Sequence, residues 1–323
     1  MSIAWVCCSS MRSQTIMKKT IRTLYRGGVK ELLLVVPYEE EETYIQALQD
    51  TPLDLFIQGA TKGLVNQRKH ARAQFPIGQR IVFIDDDVTA VKICDPSFML
   101  PHCNNLDKLA EQCFAHSAHT IDGNDWRDCL LWGVYPMCNN RFMKHIMRTG
   151  NCYIVGAFYG IINDPRLQEP DIDELEDYER QLSEQKANRP PVRFDWIGIE
   201  TRYFKNKGGM QQDRTVAKRQ SAVLNIEERY SELVKTFHRK DGTADLKFRA
   251  KSEIQEQWEA IGSWMAAPTL SISQSTHAIS HAEFLSLSSP DDPQPESIDH
   301  IHHVSEDHPP EAHSLPDSEV EIL

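Results

Sequence analysis

Four apolar runs in the first 85 residues, "SIAWVCCS", "ELLLVVP", "LDLFIQG" and "RIVFID", are each separated from the next by a stretch with helical character. The first, "SQTIMKKTIRTLYRGG", sets Ile16, Thr20 and Leu24 along one side and stops on Gly27 and Gly28, a common helix end. "EEEETYIQALQDT" and "LVNQRKHARAQF" supply two more helices. Strands that alternate with helices in this way predict a mostly parallel sheet with right-handed crossovers, flanked by helices.

The fourth run leads into three consecutive acids in "RIVFIDDDVTAVK". Ligands of open α/β sheets bind at the carboxyl ends of the strands, and Asp85, Asp86 and Asp87 stand at such an end. If the backbone stays extended, a period of two sets Asp85 and Asp87 on one side and Asp86 on the other. A D-x-D pair of that kind presents carboxylate oxygens to a divalent cation, Mn2+ or Mg2+, shared with substrate phosphate. The plainer alternative is a polar turn after a buried strand. "IVFIDDDVT" also resembles the haloacid-dehalogenase phosphatase motif, with Asp85 as nucleophile and Asp87 as acid/base. That motif normally lies on the first strand of its domain; here three strands precede it, Val88 stands where Gly is usual, and no later Gly-Asp pair follows.

"GLVNQRKHARAQFPIGQRIVFIDDD" resembles the nucleotide-sugar glycosyltransferases of the GT-A type, in which a helix with an early Arg precedes the strand that carries the acids. The resemblance implies a Rossmann-like, GT-A-like α/β fold and sets Arg68 at the donor diphosphate. The opening, "SIAWVCCSSMRSQTIMKKTIRTLYRGGVKELLLVVPYEEEETYIQAL", resembles the TET-associated glycosyltransferase group and related viral and microbial enzymes. Its motif positions are Ser10 and Arg12, Lys19 and Thr20, Gly28, then Glu40 to Glu42 and Tyr44, and the resemblance covers roughly residues 2–251.

That resemblance implies transfer of a hexose, glucose from uridine diphosphate glucose, to an acceptor hydroxyl, with a hydroxymethylated DNA base as one acceptor. Asp85 and Asp87 then hold the metal, while Ser10, Arg12, Glu40, Arg68, Asp86 and Gly156 bind the donor. Gly156, in "GNCYIVGAFYGIIND", would allow close approach of the sugar, or would simply belong to a buried strand. "RFDWIGIETRYFKNKGG" resembles the family's acid-led helix and makes Asp195 the candidate base, although Phe194 replaces a second acid found in many relatives. Glu200 is the alternative base, and a helix N-cap is the alternative role for Asp195. A catalytically inactive binding module is the third reading of the chain.

Composition limits the rest. Of 47 acids, eleven fall after Pro268, where there is no Lys or Arg, leaving 36 against 35 basic residues in the body. A nearly neutral body neither requires nor excludes nucleic acid. The segment after Gly209 is richer in bases (Arg214, Lys218, Arg219, Arg239, Lys240, Lys247, Arg249, Lys251) and reads as a solvated helical pair or a nucleic-acid surface. Eight cysteines without a CxxC pair and the lack of a signal-like start predict a reduced cytoplasmic or nuclear chain, and no apolar run is long enough for a membrane span. Cys113, His116 and His119, with Cys103, have zinc-like spacing but fit an ordinary helix equally well.

The expected organisation is a catalytic domain over 1–266, with a nucleotide half (1–92) and an acceptor half (93–266). An acidic helical insertion over the surface spans 164–191, and a disordered Ser-, Pro- and His-rich tail spans 267–323.

Overall fold

In a computed structural model, the structure describes residues 2–118, 129–201 and 215–249 and the backbone of 253–256. The tail, His119, Arg214, Lys251 and the Gly208–Gly209 pair lie outside the described residues.

The four apolar runs form β1 (Ile3–Cys8), β2 (Glu31–Pro37), β3 (Asp54–Ala60) and β4 (Arg80–Asp85). They pair in the order β3-β2-β1-β4, all parallel. Between them run α1 (Ser13–Ile16), a π-helical stretch (Met17–Ile21) and α2 (Arg22–Arg26), then α3 (Glu41–Ala47) and α4 (Leu64–Ala73). Ile16, Thr20 and Leu24 are fully buried, as the spacing predicts. The first helix ends where Gly28 adopts φ +81°, a left-handed turn that costs glycine little.

Beyond β4 the pairing becomes mixed. The remaining strands of this sheet are β5 (Ala90–Ile93), β6 (Leu131–Tyr135), β7 (Ile146–Thr149), β8 (Phe158–Ile162), β9 (Val192–Glu200) and β12 (Glu253–Glu256). β8 joins β4 antiparallel and continues the sheet through β6, β9 and β7 to β12, with β5 on β9. The result is a ten-stranded α/β sheet with helices against it. α5 (Leu106–Ser117) buries Cys113 along its apolar face, and among the described residues no group of three or more His, Cys, Asp or Glu could hold a metal ion. No helix of the described residues is long and apolar enough to cross a membrane.

Three expectations are corrected by the structure. "VRFDWIGIE" is strand β9 rather than an acid-led helix: its β-branched and aromatic residues are buried on both faces, as a central strand requires. The acidic insertion does form α6 (Glu176–Lys186), but this helix does not lie over the surface; Glu176, Glu179 and Glu184 are all buried. Such burial is tolerable because each glutamate meets an arginine: Glu176 faces Arg68 and Arg180, Glu179 faces Arg229 and Glu184 faces Arg189. The basic segment is one helix, α7 (Val216–Arg229), followed by a hairpin of β10 (Val234–His238) and β11 (Ala244–Phe248), instead of two helices. Ala222, Val223 and Ile226 of α7 pack with Val234, Leu246 and Phe248 in a second apolar cluster that includes Leu182. Of the two readings of Gly156 the structure takes the turn, just before β8, where Asp85 N donates to Ala157 O at 2.9 Å.

Candidate functional site

The chain leaves β1 toward β2 and β3 on one side and returns to β4 on the other, so the carboxyl ends of β1 and β4 open at a topological switch point. A cleft of about 780 Å3 lies there. That is within the roughly 300–1,000 Å3 usual for small-molecule sites. Its walls are Ser9 to Arg12 after β1, Lys62 to Arg68 around the start of α4, Asp85 to Asp87, the Tyr153–Ala157 loop, residues 172–177 and one face of α7.

The aspartate run turns after Asp85, so the extended alternation does not hold. Thr20, brought to the turn by the π-helical stretch, fixes it by donating to Asp85 O at 2.6 Å and accepting from Val88 N at 3.1 Å. The turn sets Asp86 and Asp87 side by side. Arg12 Nη1 donates to Asp86 and, at 3.0 Å, to Asp87 Oδ2. Asp86 also accepts from Ser9 Oγ at 2.5 Å, and Asp87 Oδ1 accepts from Thr201 Oγ1 at 2.7 Å. Asp85 turns the other way, where its Oδ1 accepts from Arg68 Nη2 at 3.1 Å. Tyr44 braces the loop after β1: its hydroxyl lies 2.7 Å from Ser9 Oγ and accepts from Arg12 N at 3.0 Å.

Loss of solvation dominates the electrostatics, at Asp86, which is buried, and at Asp85, whose side chain keeps 37% of its exposure at the cleft. It pushes the Asp85 carboxyl up to about 7, with Arg68 opposing and Asp87 and Asp86 adding to the rise. Asp86 is raised for the same first reason against the pull of Arg12. Burial works against the charge of Arg12, yet Asp86 and Asp87 more than offset it and hold the guanidinium above its ordinary value. Cys8, behind the acids, is pushed up to about 12 and stays a thiol.

These contacts decide how the acids suit a divalent cation. Both oxygens of Asp87 are engaged, Asp86 is held by Arg12 and Ser9, and of the three only Asp85 keeps an oxygen, Oδ2, without a partner among the described residues. Two arginines already compensate the charge that the sequence reading assigns to a metal. A hard cation needs about six oxygen ligands, so this donor set as arranged does not fit one.

The other candidate residues divide into two groups. Ser10 Oγ donates to Glu40 Oε1 at 2.7 Å and Met11 N to Glu40 Oε2 at 2.6 Å, so Glu40 shapes the loop after β1. Arg68 and Gly156 meet directly, with Arg68 Nη2 donating to Gly156 O at 2.8 Å. Asp195 and Glu200 are not brought to the cleft wall. Asp195 is 1% exposed, held by Arg148 Nε at 2.5 Å and Arg193 Nε at 2.7 Å. Glu200, next to the lining residue Thr201, pairs with Lys92 at 2.5 Å.

Several lining residues have no signal in the sequence alone. Thr201 follows Glu200 by one position, and Glu176 belongs to a segment whose composition suggests solvent. Lys62 and Lys218 both line the cleft, and neither side chain pairs with a carboxylate among the described residues.

No protein-family model matches the chain, and no curated protein matches it. Among solved structures it is similar to 4-diphosphocytidyl-2C-methyl-D-erythritol synthase from Anaerococcus prevotii DSM 20548, with 7% identity over 68% of this chain and 96% of that one and a TM-score of 0.37. It is also similar to a CMP:2-keto-3-deoxy-manno-octonic acid synthetase complexed with CTP, with 9% identity over 72% of this chain and 99% of that one and a TM-score of 0.39.

Proposed function

We propose that the chain is a nucleotide-sugar-dependent glycosyltransferase that moves a hexose, glucose from uridine diphosphate glucose, to an acceptor hydroxyl. The observation that carries this reading is the convergence of the loop after β1 and the acids after β4 on one cleft at the switch point of the sheet. The nucleoside lies along the carboxyl ends of β1 and β2, near Ser10, Arg12 and Glu40. The diphosphate meets Lys62 and Lys218, whose ammonium groups are not spent on carboxylates among the described residues.

In the reaction, the acceptor oxygen forms a bond to the anomeric carbon while the bond from that carbon to the diphosphate oxygen breaks. Asp85 takes the acceptor proton, a role the sequence alone assigns to Asp195 or Glu200. Its open Oδ2 and a carboxyl balanced near 7 suit a general base. The leaving diphosphate keeps the bonding electron pair, and the two lysines offset its charge. No step is routed through a metal, because the acids as arranged do not fit one. A hydroxymethylated DNA base is the first acceptor to test.

The test is titration calorimetry with uridine diphosphate glucose and with other nucleotide sugars, each with manganese and with chelator. Binding that persists in chelator and is lost in Lys62→Ala/Lys218→Ala supports the reading. Failure of every nucleotide sugar to bind under both conditions sinks it.

A further inference from the structure

The segment that sequence composition assigns to the surface grips α4 along one face. Glu169 binds Arg72, Asp173 Oδ1 accepts from Val65 N at 2.7 Å, and Glu176 binds Arg68. Positions 65, 68 and 72 share a helix face, so the inserted chain lies along the helix that brings Arg68 to the cleft.

Glu176 is the inner member of this set. It is 5% exposed, beside Arg68 at 5% and Arg180 at 4%. Its Oε1 takes Arg68 Nη1, and its Oε2 faces Arg180. The two guanidinium groups share the ring of Tyr159, at 5.2 Å for Arg68 and 3.9 Å for Arg180. Two buried cations against one ring repel each other unless an anion stands between them, and Glu176 is that anion. Room for it depends on residue 156 having no side chain, since a Cβ there would lie 2.7 Å from Glu176 Oε1. With Nη1 held from behind, Arg68 Nη2 is left bridging Gly156 O at 2.8 Å and Asp85 Oδ1 at 3.1 Å.

We propose that Glu176 is a positioning residue of the site. It locks the Arg68 guanidinium so that one oxygen of Asp85 is tied back and the other is presented to the cleft. The inserted segment is thus part of the reaction centre although none of its residues belongs to the nucleotide half. The catalytic consequence rests on the transferase reading above; the locking itself does not.

The experiment uses the full chain with nitrogen-15 label in arginine, the Arg68 signals being assigned by their loss in Arg68→Lys. Rotation about the Arg68 guanidinium bond is measured in wild type, in Glu176→Gln and in Glu176→Gln/Arg180→Met. The double variant removes one charge of each sign, so it keeps a folded reference if the single variant does not fold. Slow rotation in wild type that becomes fast in the folded double variant is the expected result. It is accompanied by a fall in kcat on the order of tenfold with little change in KM, as for a misplaced group. Slow Arg68 rotation retained in the double variant would overturn the proposal. Rotation released by the variant in a protein that binds no nucleotide sugar would uphold the positioning role while the transferase reading fell.

Discussion

Arg12 Nη1 stands 3.0 Å from Asp87 Oδ2 and also binds Asp86, so one guanidinium joins the loop after the first strand to the acids after the fourth. Residues 75 positions apart in the chain are thereby held as one buried charge cluster. Removing the cation strands two carboxylates away from water. Arg12→Ala is expected to lower unfolding free energy by about 3–5 kcal/mol, read from equilibrium urea denaturation. Arg12→Ala/Asp86→Asn should cost less than the sum of the two single changes, because the aspartate then has no charge to strand.

Asp85 gives a pH dependence whose sign follows from its raised carboxyl. The folded state holds this proton up to about pH 7, whereas the unfolded chain releases it near the ordinary carboxylate value. Between those limits the folded state binds more protons, so the group's contribution to stability is present at low pH and is lost as pH rises toward 7. Asp85→Asn, which mimics the protonated form, is expected to raise the melting temperature at pH 8 and to change it little at pH 4. A larger gain at pH 4 than at pH 8 would reverse the assignment. On the proposed transferase reading, which makes Asp85 the base, turnover should fall in the same variant at every pH.

Gly156 tests the close approach beside the arginines. The methyl group of Gly156→Ala meets Glu176 Oε1 at 2.7 Å and lies 3.5 Å from Arg68 Nη1. The variant is expected to lose about 1–3 kcal/mol, as overpacked sites do, with weakened nucleotide-sugar binding measured by calorimetry.

Asp195 separates the two assignments of the base. Held by Arg148 and Arg193 at 1% exposure, it acts as an anchor between β7 and its own strand. Asp195→Asn is therefore expected to cost stability, about 3–5 kcal/mol by chemical denaturation, because two arginines lose their anion. A variant of unchanged stability but lost turnover would return Asp195 to the role of base.

The sequence by itself determined the parallel half of the sheet, β1 to β4, because each decision there is local. Period and propensity mark β1 to β4 and the helices between them, Gly28 marks a left-handed stop, and the run into three acids marks the end of β4 at Asp85. It also brought Ser10, Arg12, Arg68, Gly156 and the three aspartates to one place, since order along the chain fixes which ends meet in a parallel sheet.

What only the tertiary structure decided is the partner of each charge. An Asp-Asp-Asp run has the same letters whether a cation or two arginines compensate it; Arg12 and Arg68 reach these acids only after the crossovers are made. "RFDWIGIE" became a strand because sheet neighbours on both sides buried it, and "DELEDYERQLSEQK" became interior because arginines far along the chain met its glutamates. Local pattern measures the preference of a segment for water or for a period, whereas burial of charge depends on long-range pairing, which no short stretch encodes.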